Sequence, residues 1–191
     1  MIMVVANRQD EKKELLKILK QKAFFRQKVA LSSGKESDYY IDARLVTLTS
    51  QGAYLSARAI LDLLKNETFA AIGGPTLGAD PIIGAIGALF YQAGKSVNTF
   101  IIRKEPKKHG KQQQIEGPEI LAGSEVIVID DVATSGKAFL HAIDVLAKLN
   151  IKVKKCVCLV DRQEGAKEKI AEKGSELLSV FTIGQFLKLD E

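Results

Sequence analysis

The chain has 191 residues, a formal net charge of +5, and 46% apolar against 27% charged residues. That length buries a real core within one domain, and the balance excludes disordered and fibrous classes. No apolar run reaches the roughly 18 residues a membrane span needs, and the short apolar start gives way at once to Asn7, Arg8, Gln9 and Asp10, unlike a secretory signal, so a cytoplasmic chain with no membrane contact is expected.

In chain order, residues 11–22 carry Leu15, Leu16, Ile18 and Leu19 at helical spacing. Residues 29–31, the Ser32-Ser33-Gly34 turn and residues 39–41 read as a hairpin-like excursion. Ser50 is placed to cap a helix whose apolar face holds Leu55, Ala59, Ile60, Leu63 and Leu64. A short buried strand at 69–72 runs into Gly73-Gly74-Pro75, and Asp80-Pro81 offers a cap and a first-turn proline for a helix to about Tyr91. Residues 97–102 read as a strand and 103–117 as a loop without apolar periodicity. Residues 126–129 are β-branched throughout with no polar alternation, the pattern of a central parallel strand covered on both faces. A helix at about 136–149, a strand near 153–160, a helix at about 164–172, and a last strand with a short helix that Thr182 is placed to cap complete the chain. The order predicts an α/β fold, a central mostly parallel sheet flanked by helices and joined by right-handed crossovers. No repeat or biased linker divides the chain, so residues 1–191 are expected to form one domain.

Cys156 and Cys158 are the only cysteines. Two apart in an apolar strand, they point to one face. That geometry suits neither a mutual disulfide nor, with two thiols alone, a zinc site, so buried inert thiols are expected.

The most specific local feature is Val126-Ile127-Val128-Ile129-Asp130-Asp131-Val132-Ala133-Thr134-Ser135-Gly136-Lys137-Ala138. A buried strand ends in two carboxylates, and a turn of small residues opens a helix. Ligands of open α/β sheets lie beyond the carboxyl ends of strands. The turn's amides and the helix start favour a phosphate, Thr134 and Ser135 add hydroxyl donors, and Gly136 allows close backbone approach. Carboxylates beside a phosphate make sense if they serve something else on the same ligand, and ribose hydroxyls fit. The bland alternative is a plain helix start capped by Asp131 or Thr134; neither the Walker nor the dinucleotide glycine pattern is present.

This segment resembles the phosphoribosyl pyrophosphate motif of type I phosphoribosyltransferases. The resemblance implies that Asp130 and Asp131 contact the ribose 2- and 3-hydroxyls and that the following loop, through Ala133, Thr134, Ser135, Gly136 and Lys137, wraps the 5-phosphate, with Val132 and Ala138 flanking it.

The second feature, residues 103–117, carries five Lys/Arg and a His against two Glu and begins where a strand ends. A long polar loop inside a compact domain is usually functional or disordered, and a cationic flap suits a polyphosphate substrate. Its order, Arg103-Lys104-Glu105-Pro106-Lys107-Lys108-His109-Gly110, resembles the catalytic loop of orotate phosphoribosyltransferases. By that resemblance Arg103, Lys104, Lys107 and His109 reach the pyrophosphate, with Lys107 the foremost catalytic candidate beside Arg103, His109 and Asp131. The loop closes over the neighbouring subunit's site, which implies a homodimer.

Two further stretches match the same family. Leu31 to Asp42 resembles its N-terminal hood segment, with Tyr40 and Ile41 beside the flat orotate ring, where an aromatic face can stack; a buried strand is the alternative for these two. Val160-Asp161-Arg162 again ends a strand, and Arg162 fits the position that grips the orotate carboxylate, since guanidinium and carboxylate pair bidentately; a surface salt bridge is the rival reading. Thr134 is implied at the orotate site as well. The resemblance implies a small hood of about residues 11–45 with the C-terminal segment, over a core of about 50–175. Gly74 to Pro81 matches the family's pyrophosphate loop in position. Some members carry Lys where Ser32 stands and Tyr-Lys where Leu77-Gly78 stand, which leaves the donor contacts there open and marks a subtype.

The implied reaction is an inverting transfer at the anomeric carbon, in which orotate attacks as pyrophosphate leaves, with Mg²⁺ held mainly by substrate oxygens rather than directly by the protein. No decarboxylase domain follows, so transfer alone is expected. Two rivals remain: a phosphoribosyltransferase for another base, against which Arg162 speaks, and a non-catalytic sensor using its basic surface on nucleic acid, for which no separate DNA-reading helix is visible. No nucleic-acid partner is therefore expected.

Overall fold

The computed structural model describes residues 8–30, 36–106 and 114–188. In chain order the elements are α1 (Arg8–Lys22), β1 (Phe24–Phe25), β2 (Val29–Ala30), β3 (Glu36–Ser37), β4 (Tyr40–Ile41), α2 (Arg44–Thr47), α3 (Ser50–Leu63), β5 (Ala71–Pro75), α4 (Asp80–Gln92), β6 (Asn98–Ile102), β7 (Ile115–Glu116), β8 (Glu125–Ala133), α5 (Lys137–Ala147), β9 (Lys152–Asp161), α6 (Ala166–Glu172), β10 (Glu176–Thr182) and α7 (Gly184–Leu187). The main sheet has the order β10-β9-β8-β5-β6-β7, parallel throughout except for the antiparallel β6–β7 edge. This is the α/β architecture expected from the sequence, a central mostly parallel sheet flanked by helices.

The β-branched run decides where the core sits. Successive strand residues face opposite sides. Ile127 and Ile129 join the cluster with Leu15, Ile60, Ile82 and Phe181, under α1, α3 and α4. Val126 and Val128 join Phe139, Leu146 and Ile170, under α5 and α6. β8 is therefore fully sandwiched, as its lack of alternation requires. Cys156 and Cys158 face the second cluster, fully buried and unpaired; burial pushes the Cys156 thiol up to about 12 and Cys158 well above its usual value.

Several boundaries differ from the sequence reading. β8 does not stop before the acids but runs through Asp130 and Asp131 to Ala133, because β9 stays in register with it to the pair Ala133–Asp161. The expected pairing of 29–31 with 39–41 is replaced. β2 pairs with β3, while β4 returns to β1, where Phe25 stacks on Tyr40 at 6.4 Å and Phe24 meets Tyr39 at 5.7 Å. The expected turn, Ser32-Ser33-Gly34, lies outside the described residues. Thr49 rather than Ser50 caps α3, its hydroxyl accepting from Gly52 N at 3.0 Å. Asp80 lies inside the first turn of α4 and instead accepts the Thr76 hydroxyl at 2.7 Å. Thr182 does not cap α7; its own N–H donates to Gln185 Oε1 at 3.0 Å. The loop after β6 returns as β7, too short for a periodicity signal.

β5 brings the next loop to β8 because it carries glycine where the strands touch. A Cβ on Gly74 would overlap the carbonyl oxygen of Ile129, one residue before Asp130. Gly74→Ala therefore prises β5 from β8 beside the acids. The expected cost is about 1–3 kcal/mol, seen as a fall of roughly 2–4 °C in Tm per kcal/mol; thermal unfolding against the parent checks it.

Candidate functional site

A cleft of about 520 Å³ opens at the carboxyl ends of β5, β6 and β8. Its floor is the acid pair. Asp130 is 8% exposed. Each carboxylate folds forward to the next backbone amide: Asp131 N donates to Asp130 Oδ1 at 2.9 Å, and Val132 N donates to Asp131 Oδ1 at 2.8 Å. The loop after β5 closes on the same two groups. A Cβ on Gly78 would overlap Asp131 Oδ1 and lie 2.7 Å from Asp130 Oδ1. Only glycine lets this backbone approach the pair so closely, which gives a physical content to the Leu77-Gly78 subtype. The Thr76–Leu77 peptide in that loop is cis.

Electrostatics follow from burial. Desolvation first, then the neighbouring Asp131 charge, holds the Asp130 carboxyl well above the usual carboxylate range. Desolvation also raises Asp131, opposed by its amide hydrogen bond and by the charge of Arg44. Burial and mutual repulsion thus bias the pair against carrying two charges at once. An ion pair also lines the cleft. Arg44 Nε donates to Asp42 Oδ1 at 2.8 Å and its Nη2 to Asp42 Oδ2 at 3.1 Å, a bidentate fork that lowers the Asp42 pKa and raises that of Arg44. Lys104 and Lys137 add two more cations to the lining.

The structure brings many of the sequence candidates together. Tyr40, Ile41, Lys104, Asp130, Asp131, Val132, Lys137 and Ala138 line one cleft. Ala133 is buried behind it, its carbonyl accepting from Arg162 N at 2.9 Å. Thr134, Ser135 and Gly136 form the turn between β8 and α5, outside the cleft lining. Gly136 has φ +80°, and a Cβ there would lie 3.1 Å from Ala166 Cα, so the close approach that its missing side chain permits is to α6. Arg103, between the lining residues Ile102 and Lys104 but itself outside the lining, has its N–H on Gln114 O at 2.8 Å and its guanidinium 3.4 Å from Glu116 Oε1. Lys107 and His109, like Lys108 and Lys111, lie outside the described residues.

Arg162 is not the surface ion pair of the rival reading. It is 5% exposed, with its guanidinium 4.5 Å from the Tyr39 ring centre. Its Nη2 donates to Ser37 Oγ at 3.1 Å and pairs with Glu164 Oε1 at 2.8 Å.

Sequence reasoning missed Arg44, Asp42 and His141. The first two lay in the Ile41-Asp42-Ala43-Arg44 run, where a short acid–base spacing was the available signal. His141 was masked as one polar position on an apolar helix. Its Nε2 lies 3.4 Å from both Arg103 O and Gln114 Nε2, at the base of the basic loop. Among the described residues no group of three or more His, Cys, Asp or Glu could hold a metal ion.

Residues 48–187 match the family described as Phosphoribosyl transferase domain. An orotate phosphoribosyltransferase of Synechocystis sp. is 41% identical over 170 residues, covering 89% of this chain and 85% of the relative. Among solved structures, the Mycobacterium tuberculosis orotate phosphoribosyltransferase in complex with Fe(III) dicitrate superposes with a TM-score of 0.80 at 32% identity, over 93% of this chain and 99% of that one. The same enzyme in complex with 5-phospho-alpha-D-ribosyl 1-diphosphate gives 0.76 at 30% identity, over 92% and 98%.

The raised acids make a stability prediction. The folded protein keeps a proton that the unfolded chain releases near the ordinary value of 3.8, so stability is full below that value and is lost as pH rises through the folded pKa. Asp130→Asn keeps the shape without the buried charge. At pH 8 it is expected to raise Tm by roughly 2–4 °C, about 1 kcal/mol for a chain of this size, and the gain should vanish towards pH 4. Calorimetry of the ligand-free pair at both pH values checks the sign.

Proposed function

Because the chain belongs to the phosphoribosyltransferases, and among them to the orotate phosphoribosyltransferases, we propose that it transfers the phosphoribosyl group of 5-phosphoribosyl 1-pyrophosphate to orotate, giving orotidine 5'-monophosphate and pyrophosphate in pyrimidine biosynthesis. The observation that carries the reading is the acid pair, Asp130 buried and Asp131 partly buried, on the floor of a cleft whose walls hold Arg44, Lys104 and Lys137. A donor with anionic groups at both ends and hydroxyls between them matches that alternation of charge.

In this reading Asp130 and Asp131 accept hydrogen bonds from the ribose hydroxyls, and the turn from Ala133 to Lys137 receives the 5-phosphate with its amides, as helix starts do for anions. Orotate lies against Tyr40 and Ile41, near Thr134, with its carboxylate on Arg162. Arg103, Lys104, Lys107 and His109 meet the pyrophosphate and neutralise the charge that grows as it leaves. The protein's share of catalysis is alignment and electrostatic stabilisation, because the chemistry asks for no covalent intermediate. Mg²⁺, when bound, would supply charge neutralisation on the pyrophosphate, held in this reading mainly by substrate oxygens. A homodimer, in which the loop after Arg103 reaches the neighbouring subunit's site, belongs to the same reading. So does a cytoplasmic location without nucleic-acid or membrane partners. No helix among the described residues is long and apolar enough to cross a membrane.

A spectroscopic assay with donor and Mg²⁺ tests the function directly. Orotate should be consumed, while uracil, hypoxanthine and adenine stay untouched and a chelator stops turnover; preferential use of a purine would overturn the assignment. Lys107→Ala is expected to lower kcat by about 10²- to 10³-fold, the scale of losing one preorganised charge-stabilising donor. Near-normal steady-state turnover of that variant would remove Lys107 from the role.

A further inference from the structure

The turn after β9 is shaped to bring a carboxylate back onto Arg162. Asp161 Oδ1 accepts from Gln163 N at 2.8 Å, Gln163 takes φ +57° and Gly165 φ +91°. That reversal folds the Glu164 side chain onto the guanidinium two residues earlier, Glu164 Oε1 to Arg162 Nη2 at 2.8 Å. The two partners are unequal. The Arg162 side chain is 4% exposed, whereas that of Glu164 is 32% exposed.

The guanidinium is also incompletely satisfied. Its Nη2 makes both described polar contacts, to Glu164 and Ser37, while Nε is buried with no acceptor. A buried charged donor left unpaired costs free energy, and Arg prefers to present two parallel N–H groups to one carboxylate. The Tyr39 ring holds the guanidinium plane in place, and the next two residues, Tyr40 and Ile41, line the substrate cleft. The Arg162 backbone is pinned as well, through its N–H to Ala133 at the end of the acid-bearing strand.

We propose that Glu164 is a stand-in for the substrate's carboxylate: it neutralises Arg162 while the base site is free and is displaced when an acidic pyrimidine offers both of its oxygens to Nη2 and the unpaired Nε. Glu164 is thus a specificity-determining residue that sets the threshold an incoming base must pass. A base without a carboxylate cannot replace the ion pair and would leave Arg162 buried and uncompensated. The inference rests on the assignment of Arg162 to the orotate carboxylate.

Steady-state kinetics of Glu164→Gln, Arg162→Lys and the double variant test both levels separately. Glu164→Gln keeps the shape and removes the competing charge. Its KM for orotate is expected to fall roughly two- to fivefold, the range of one partly exposed ion pair, with the KM for the phosphoribosyl donor unchanged. An unchanged or raised orotate KM would overturn the proposal, since a merely supporting contact would weaken binding when removed. In the Arg162→Lys background the Glu164→Gln effect should disappear; persistence there overturns the stand-in role. If Arg162→Lys itself leaves the orotate KM untouched, the assignment of Arg162 fails, a result that Glu164→Gln alone cannot produce.

Discussion

Two neighbouring carboxylates, Asp130 buried and Asp131 partly buried, sit near the end of a strand covered on both faces, and much of the architecture exists to tolerate them. Water would solvate two ionised acids far better than this strand end does. The protein answers with local donors, Asp131 N and Val132 N, and with the charge of Arg44, itself held by Asp42. Those donors do not fully offset desolvation, and both acids remain biased towards the protonated form. A ligand that brings hydroxyl donors to the same spot relieves an existing cost. Glycines at 74 and 78 let the neighbouring strand and loop approach where any side chain would collide.

Positive charge is divided by function across the sheet. At the amino-terminal edge, Lys155 bridges Glu67 at 3.4 Å and Glu176 at 2.6 Å, Lys154 reaches Glu67 at 3.1 Å, and Lys152 meets Glu125 at 2.8 Å across paired strands. These lysines tie β8, β9 and β10 to one another and to the segment before β5. Lys12 lies 5.5 Å from the Phe181 ring centre, and Lys13 pairs loosely with Asp10. Lys12, Lys13, Lys154 and Lys155 are thus engaged within the fold. Lys104 and Lys137, at the carboxyl edge, are the cations that face open space in the cleft.

Legibility varied with the kind of signal. Val126 to Ile129 announced a doubly covered central strand, and the acids with the following small residues announced a ligand turn, because both patterns are local and dense. The extension of β8 through Ala133 was hidden, since it depends on continued pairing with β9, a partner distant in sequence. Pairing of Tyr40 with Phe25 was hidden for the same reason: ring stacking, not turn composition, chooses that register. Thr49 displaced Ser50 as a cap, a one-residue ambiguity that propensity alone does not resolve. Arg44 reaches the cleft from the four-residue α2 and His141 from α5 beyond the motif, so neither fell within a motif.

The cysteines carry a practical consequence. Both thiols lie wholly inside the layer between the sheet and α5, with ionisation suppressed by burial, and only a thiolate reacts readily. A thiol reagent can therefore modify this chain at an appreciable rate only after β9 has parted from its covering helices. The slow appearance of that adduct is a built-in clock for opening of the central layers, and ligand-induced slowing of it would measure how much the substrates tighten the very strand that holds the acids.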